Sequence, residues 1–316
     1  MAELAVIIVT WNVRALALES LRSLYADLAQ SGLTADVYVV DSASSDGTVE
    51  AIAEQFPEVH LTASPANLGF VGGNNHALRQ IGFGRDDVDR ADLPHAVYLL
   101  NPDTITQPGA TRALYDALFA ESQVGLIGAR LTYGDGRFQH SAFAFPGLAQ
   151  IWLEFFPRPG RLLESRINGR YPRALYHGSQ PFPVDFVLGA TMMLRREAVE
   201  QVGLLDEAFF MYCEEIDWAW RLHKAGWGVR CVPAAHVVHL GGQSTGQARP
   251  QSVINLWTSR MLLYRKHLPA WKAGLARLLI QVGMRLRIRQ AEMVDPAQRA
   301  ALIAAYRTVE SKARGQ

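Results

Sequence analysis

The chain has 316 residues, of which 49% are hydrophobic and 19% are charged, and its formal net charge is +1. This balance excludes disordered and fibrous proteins and is typical of a globular chain with one sizeable α/β domain and an extension. No apolar run reaches the roughly 18 to 20 residues of a membrane span. The two cysteines, Cys213 and Cys231, are too few for a disulfide framework or a zinc cluster, so we expect a soluble or peripheral protein of a reducing cytoplasm.

Strands and helices alternate along the first 103 residues. The apolar runs predict strands at residues 4–10, 37–40, 59–62 and 96–100, and helical spacing predicts intervening helices that end near residues 32, 56 and 80. Such alternation is typical of a parallel, doubly wound half-domain. The fourth strand stops at Asn101, Pro102 and Asp103. Ligands bind at the carboxyl edge of such sheets, so Asp103 could hold a metal ion on a phosphorylated substrate; the alternative is an aspartate that only closes a turn.

The turns of this half-domain argue against two common nucleotide-binding classes. The glycine cluster at residues 69–73 follows the third strand, whereas the dinucleotide fingerprint G-x-G-x-x-G follows the first, and the Gly-Lys-Ser/Thr ending of a phosphate loop is missing. Residues 10–12 and an acidic, serine-rich turn at 41–48 follow the first two strands instead. Their polar groups could contact a base or a ribose, or they could be ordinary turns, with Asp46 or Thr48 as the helix cap.

The second half is predicted to be mixed. A helix at about residues 108–121 and a strand at 124–131 precede an irregular stretch that runs to residue 183. A strand at 184–194 is interrupted by Gly189, where a ligand or another backbone could approach closely. A helix begins at Glu214, and Asp217 and Arg221 form an i, i+4 pair on it. The following segment, residues 234–242, brings His236 and His239 close to a glycine pair.

Charge is distributed unevenly. Residues 1–100 carry thirteen acidic residues and five arginines, whereas residues 218–291 carry twelve Lys and Arg and no acidic residue. This asymmetry indicates an anionic partner, and because no nucleic-acid recognition motif accompanies it, a membrane surface or a phosphorylated acceptor is favoured over nucleic acid.

Basic amphipathic helices are predicted for residues 249–316. Their apolar stripes are Trp257, Met261, Tyr264 and Leu268, followed by Trp271, Leu275, Leu278, Leu279, Val282 and Leu286. These helices could lie on an anionic membrane, or they could pack as a hairpin on the rest of the protein.

Six motifs together carry a family resemblance. They are Thr-Trp-Asn at 10–12, Asp-Ser-Ala-Ser-Ser-Asp-Gly-Thr at 41–48, Asn-Leu-Gly-Phe at 67–70, Leu-Asn-Pro-Asp at 100–103, Glu-Glu-Ile-Asp at 214–217 and His-Leu-Gly-Gly-Gln-Ser at 239–244. Over about residues 4–245 the chain resembles the family-2 inverting glycosyltransferases of the GT-A fold, especially their rhamnosyltransferase-like branch. The resemblance implies a Rossmann-like nucleotide-sugar half at 1–103 and a mixed-sheet acceptor half at 104–248. It also implies a nucleoside-diphosphate sugar donor, a glycan or lipid-linked acceptor and a divalent cation.

The resemblance also implies roles for individual residues. Asp41 matches the acid that contacts the base, Asp103 and His239 match metal ligands, and Glu215 falls at the position of the catalytic base. The other residues expected to bind the donor are Thr10, Asn12, Ser44, Asp46, Asn67, Gly69 and Asn101. Asn101 replaces the first acid of the DXD motif, which removes one charge from the metal site. A ligand set of one Asp, one His and diphosphate oxygens should suit Mn²⁺ better than Mg²⁺.

Three carboxylates at the start of the 214 helix are candidates for the base. Asp217 is expected to be held by Arg221, which lowers its basicity. Glu215 shares the buried side of the helix with Trp218, whereas Glu214 is expected to lie off that face and to serve as a cap or to meet the acceptor. The positive end of the helix dipole should favour the ionised form of these acids.

Two other functions compete with sugar transfer. A sugar-1-phosphate nucleotidylyltransferase has a similar half-domain, but it needs a glycine- and arginine-rich loop after the first strand, which residues 10–12 do not supply. A non-catalytic nucleotide-sugar-binding protein would account for Asn101 in place of an acid. It would leave Asp41, Glu215 and His239 without a catalytic purpose.

Overall fold

The first half of the protein is a parallel sheet with helices on both faces. The computed structural model describes residues 2–156, 159–241, 249–291 and 296–315. The first elements are β1 (Leu4–Thr10), α1 (Arg14–Ser31), β2 (Ala35–Ser42), α2 (Thr48–Gln55), β3 (His60–Ser64), α3 (Gly69–Ile81) and β4 (Ala96–Leu100). Each lies within two residues of its predicted boundaries. The predicted cap differs, because Gly47, with a φ of +79°, is the N-cap of α2, while the Asp46 carboxylate accepts from the Thr48 N–H.

Alternating side chains of β1 explain why this half is layered. Leu4, Val6 and Ile8 pack with α1 and α2 on one face, and Ala5 and Ile7 pack with α3 on the other. β1 pairs in parallel with β2 and β4, and β2 pairs in parallel with β3. The carboxyl ends of these strands therefore meet at one edge of the sheet.

The second half adds antiparallel and parallel strands to the same sheet. Its elements are β5 (Thr104–Thr106), α4 (Ala110–Ala120), β6 (Val124–Thr132), β7 (Phe138–Gln139), β8 (Ala142–Phe143), α5 (Leu148–Phe155), α6 (Arg173–Tyr176), β9 (Phe182–Pro183), β10 (Phe186–Val187), β11 (Thr191–Arg195), α7 (Arg196–Val202), α8 (Glu214–Lys224) and β12 (Gly228–His239). The main sheet has the order β3-β2-β1-β4-β11-β6-β12-β5. β11 runs antiparallel to β4 and β6, which makes the sheet mixed as predicted.

The interruption predicted at Gly189 is confirmed, but the segment 184–194 forms two strands in different sheets and not one interrupted strand. β10 pairs with β8 in a separate two-stranded sheet, whereas β11 joins the main sheet. The chain changes sheets at residues 188–190, where the Leu188 N–H donates to the carbonyl of Ser141. The stretch predicted to be irregular, residues 132–183, contains α5, α6 and short strands that depend on distant partners.

Three helices follow the mixed sheet: α9 (Arg249–His267), α10 (Ala270–Ala291) and α11 (Pro296–Arg314). They pack on one another and on α5 through a separate apolar cluster. Its buried members are Ile151, Phe155, Trp257, Tyr264, Ala276, Ile280, Met284, Val309 and Ala313. The packed alternative is therefore confirmed for the inner faces, with three helices in place of a hairpin. None of the helices that the structure describes is long and apolar enough to cross a membrane.

Candidate active site

A cleft of about 470 Å³ opens at the carboxyl edge of the parallel strands. Its walls come from the ends of β1, β2, β4 and β12, the starts of α3 and α8, the break before β11, and one face of α9. The predicted site residues that line it are Thr10, Asn67, Gly69, Asn101, Asp103, Glu214, Glu215 and His239. Three positions of the last sequence motif, Gly242, Gln243 and Ser244, lie outside the described residues.

Residues 10–12 and the acidic, serine-rich turn at 41–48 support the cleft wall behind Thr10. The Thr10 hydroxyl donates to Oδ1 of Asp41 at 2.9 Å, and the N–H of Ser44 donates to Oδ2 of Asp41 at 2.8 Å. The N–H of Asn12 donates to the Ser44 hydroxyl at 2.8 Å. The Asp46 carboxylate accepts from the N–H groups of Arg14, at the start of α1, and Thr48. Of the five predicted site residues here, only Thr10 lines the cleft. The other four hold the turns together, and their direct contact with a donor stays a prediction.

The start of α3 forms another part of the wall. Asn67 Oδ1 accepts from the Gly69 N–H at 2.9 Å. Gly69 has a φ of +65°, and a Cβ there would lie 2.6 Å from the carbonyl oxygen of Phe210, so both the backbone and the space require glycine. The first N–H groups of α3 therefore lie beside the cleft, where they favour an anionic group.

Asp103 and His239 form the candidate metal pair. Asp103 Oδ1 lies 3.4 Å from His239 Nε2, and both side chains are less than a tenth exposed. His239 Nδ1 lies 3.2 Å from Gln139 Oε1. The amide oxygen can only accept, so Nδ1 carries a proton, and in the neutral imidazole Nε2 then presents its lone pair to the carboxylate. Two acceptors that face each other suit a cation between them.

The rest of that neighbourhood limits the ligand set. Asn101 lines the cleft, but its main chain is committed to Thr104 and Ala190. His236 contacts the Thr132 hydroxyl at 3.0 Å instead of the cleft. Within residues 2–156, 159–241, 249–291 and 296–315 no group of three His, Cys, Asp or Glu side chains could hold a metal ion. Among the described residues Asp103 and His239 are the candidate pair, and a bound substrate could supply further ligands.

Glu214 and Glu215 both face the cleft, which corrects the expectation that Glu214 lies off that face. The backbone just before α8 is left-handed at Tyr212 and Cys213, with φ values of +70° and +67°, and this sharp turn presents both glutamates. Burial raises the pKa of Glu215 to about 7 and outweighs the hydrogen bonds that it accepts from backbone N–H groups.

Glu214 is the more deeply buried of the two glutamates. Burial and then the charge of Glu215 raise the pKa of Glu214 well above its usual range. Its Oε2 has no hydrogen-bond partner in the part of the chain that the structure describes. Burial therefore opposes the ionisation of Glu214, against the expected effect of the helix dipole.

Asp217 does not line the cleft. It is fully buried, and its carboxylate contacts Arg221 at 2.8 Å, Lys266 at 2.6 Å and His267 at 2.7 Å. Burial opposes ionisation, but the hydrogen bonds from Lys266 and His267 and the charge of Arg221 lower the pKa of Asp217. The predicted pair with Arg221 is confirmed, and Asp217 joins α8 to α9.

The contribution of α9 to the cleft was not predicted from the sequence. Gln251, Ser252 and Asn255 line it, and the Ser259 hydroxyl donates to the carbonyl of Met211 at 2.8 Å. The signal for this face was present in the three polar residues at i, i+1 and i+4. It was overlooked because these residues were assigned to a separate extension.

The family model for "Glycosyltransferase like family 2" matches residues 2–255. The chain belongs to glycosyltransferase family 2. Since the match covers the whole cleft, the protein is a glycosyltransferase, and the nucleotidylyltransferase and non-catalytic alternatives are set aside.

Sequence relatives agree with this assignment. The glycosyltransferase is 33% identical over 216 residues to the N-acetylglucosaminyl-diphospho-decaprenol L-rhamnosyltransferase of Mycobacterium tuberculosis, covering 67% of this chain and 68% of the relative. It is 27% identical over 250 residues to the low-salt glycan biosynthesis hexosyltransferase Agl10 of Haloferax volcanii, covering 79% and 70%. The predicted rhamnosyltransferase-like character is confirmed at the level of similarity.

Solved structures confirm the GT-A fold. The mannosyltransferase PcManGT of Pyrobaculum calidifontis, solved with GDP-Man and Mn²⁺, matches with a TM-score of 0.53 and 17% identity over 99% of this chain and 84% of that one. GalNAc-T7, solved with UDP, GalNAc and Mn²⁺, matches with a TM-score of 0.52 and 13% identity over 76% of this glycosyltransferase. The chain covers 44% of the length of GalNAc-T7.

The pKa of Glu215 leads to a prediction for the glycosyltransferase. If Glu215 accepts a proton, kcat/KM should fall about tenfold per pH unit below about 7, because only the ionised carboxylate is a base. The measurement is a pH profile of sugar transfer from pH 5.5 to 8.5, with the melting temperature recorded at each pH. A flat profile in protein that stays folded would contradict this role of Glu215.

Proposed function

We propose that the protein is an inverting glycosyltransferase that moves a sugar, such as rhamnose, from a nucleoside diphosphate to a hydroxyl of a cell-surface glycan or its lipid-linked precursor. The observation that carries this proposal is that one cleft contains both the Asp103–His239 pair and the Glu214–Glu215 pair. The name of the M. tuberculosis relative, a rhamnosyltransferase for a diphospho-decaprenol acceptor, supports the sugar and the lipid-linked acceptor.

The two pairs divide the work of transfer. Asp103 and His239 would hold a divalent cation, preferably Mn²⁺ because one ligand is an imidazole, and this ion would stabilise the charge of the leaving diphosphate. Glu215 takes the proton from the acceptor hydroxyl as that oxygen attacks the sugar. Glu214, whose pKa is raised by burial, would in its protonated form donate a hydrogen bond beside it. A single displacement of this kind inverts the configuration of the sugar carbon.

A donor screen tests the proposal. Purified protein is heated with UDP-, GDP- and dTDP-sugars, with and without Mn²⁺, and transfer to a polyprenyl-diphosphate-linked acceptor is measured with the same donors. A ligand at a hundred times its Kd stabilises the folded state by about 2.7 kcal/mol, so the correct donor should raise the melting temperature clearly. A Mn²⁺-dependent shift with one base would identify the donor. The absence of both shift and transfer with every donor would contradict the proposal.

Asp41 provides a second test within the donor half. Asp41→Ala should weaken nucleotide binding without abolishing metal dependence, because Asp41 holds Thr10 and Ser44 and lies on the β2 side of the wall. The substitution also leaves the buried Thr10 hydroxyl and the partly buried Ser44 N–H without an acceptor. An unpaired buried donor costs about 1 to 3 kcal/mol of folding stability. The measurement is calorimetric titration of the nucleotide with and without Mn²⁺. Thr10→Val is the matched control, since it removes one hydrogen bond and keeps the carboxylate, and unchanged nucleotide affinity in folded Asp41→Ala would refute the prediction.

We propose a cytoplasmic place of action, peripheral to the inner face of the cell membrane. The two cysteines are free and buried, which suits a reducing compartment. A lipid-linked acceptor would bring the enzyme to a membrane surface.

A further inference from the structure

α10 is apolar on both its inward and its outward face, whereas amphipathic packing predicts a polar outward face. The face that packs inward carries Ala276, Ile280 and Met284, all fully buried. The large apolar side chains of the opposite face point to solvent, at exposures of 66% for Trp271, 39% for Leu275, 53% for Leu278 and 37% for Val282. We call these four residues the outer stripe. The expectation that a packed helix hides this stripe is wrong for α10, because smaller residues make its internal contacts.

The outer stripe is continuous. Its members are separated by four, three and four residues, so they lie on one side of the helix. At 1.5 Å per residue the stripe is about 16 Å long. Isolated exposed apolar residues are ordinary on protein surfaces, but a row of four large ones on one helix face marks a surface for interaction.

Positive charge accompanies the outer stripe, although Arg277 and Arg287 donate to the carbonyls of Ala313 and Glu154 on other elements. α10 contains Lys272, Arg277, Arg285, Arg287 and Arg289 and no acidic residue. Lys272 lies 5.4 Å from the centre of the Trp271 ring. Arg285 and Arg289 continue the face of the stripe, three and seven residues after Val282. Arg285 contacts Glu310 at 2.8 Å, and its side chain remains 52% exposed.

We propose that the outer stripe of α10 docks the enzyme on an anionic membrane. Apolar side chains enter the boundary between headgroups and acyl chains while the neighbouring cations meet lipid phosphates, the arrangement of interfacial amphipathic helices. Charge argues against a second copy of the chain, because a symmetric pair would bring two α10 faces without any acid together. The inference deepens the proposed function and relies on it only for the lipid-linked nature of the acceptor.

α9 connects the outer stripe to the cleft. Trp257 and Tyr264 of α9 belong to the apolar cluster that includes the inner face of α10. Gln251 and Asn255 of the same helix line the cleft. α10 and α9 therefore link a membrane docked on the outer stripe to the wall of the cleft, which suits an acceptor that stays anchored in lipid.

Vesicle flotation tests the docking surface. Full-length protein is mixed with vesicles of phosphatidylcholine alone or of phosphatidylcholine with about 40% phosphatidylglycerol. The floating fraction is measured at low and high salt. We expect flotation with the anionic vesicles, weaker at high salt. The variant Leu275→Glu/Leu278→Glu should reduce vesicle binding at least tenfold, and Arg289→Glu should reduce it about fivefold or more for the charge lost.

Matched controls separate docking from folding and from catalysis. Ile167→Glu alters an apolar side chain that is 55% exposed outside α10 and should float like the wild type. All variants should melt within a few degrees of the wild type, and Trp271→Ala replaces the double variant if that one fails to fold. Transfer to a short, water-soluble acceptor should be unchanged in the α10 variants.

Three outcomes would overturn the docking proposal: no flotation of the wild type, wild-type flotation of the folded stripe variants, or a wild-type dimer that the same variants dissociate without vesicles. Flotation of a wild-type protein that transfers no sugar would leave docking intact and refute the proposed function. The two failures are therefore distinguishable.

Discussion

Glu215→Gln is expected to lower kcat by about 10² to 10⁴-fold, the usual contribution of a general base, with donor affinity little changed. Glutamine keeps the size of the side chain but cannot accept the proton. Steady-state kinetics with saturating donor give kcat, and calorimetry gives the donor Kd. Burial raises the pKa of Glu215 from 4.5 to about 7, so its ionisation destabilises the folded state as the pH rises through this range. At pH 8 this cost is complete in the wild type and absent in the variant, so the variant should not melt below the wild type.

Glu214→Gln is the matched control. Because burial raises the pKa of Glu214 and so favours its neutral form, a neutral amide of the same shape should preserve turnover within about tenfold. Near-wild-type turnover of Glu215→Gln beside an inactive Glu214→Gln would move the base to the neighbouring residue. Two active variants would remove the carboxylate-base mechanism from α8.

Asp103→Ala is expected to have the second large effect, a loss in kcat/KM on the order of 10³-fold with Mn²⁺. A cation on a leaving diphosphate supplies several kcal/mol of charge stabilisation, and each 1.36 kcal/mol is about tenfold in rate. The measurement is initial rate against Mn²⁺ concentration, together with nucleotide affinity. His239→Gln should also lower kcat/KM with Mn²⁺, since it removes the facing ligand.

His236→Gln provides the control for the metal pair, because His236 contacts Thr132 outside the cleft and should leave the Mn²⁺ dependence unchanged. Unchanged Mn²⁺-dependent activity and nucleotide affinity in Asp103→Ala would show that the metal assignment is wrong. A lower melting temperature without ligand would attribute the loss to folding instead.

The elements that could be predicted from sequence are those with local causes. β4 is a run of five buried apolar residues that stops at Asn101, and the same local pattern places Asp103 at the edge of the sheet. The i, i+4 relation of Asp217 and Arg221 likewise needs only one helix. The combined order of the six motifs was sufficient to indicate the family, although each motif alone also fits an ordinary turn.

The features that escaped prediction depend on contacts between distant parts of the chain. Asp217 meets Lys266 and His267 only because α9 folds back onto α8. The division of one predicted strand into β10 and β11 depends on which sheet each half meets. The pKa of Glu215 follows from burial in the cleft, which helical periodicity does not reveal. For the same reason the exposed face of α10 could not be distinguished from a packed one.

The position of α9 decides where this enzyme could be divided. A boundary at residue 248 would separate the buried Asp217 from Lys266 and His267 and remove the Ser259–Met211 hydrogen bond, along with the polar wall that α9 contributes. The turn at Leu268 and Pro269, between α9 and α10, breaks none of these contacts. α9 therefore belongs with the cleft, whereas α10 and α11 contact it through the apolar cluster that they share with α5 and α9. Exchange of α10 and α11 between related enzymes, to redirect one catalytic module to a different surface, should therefore join the two parts after His267 and keep the residues of this cluster matched.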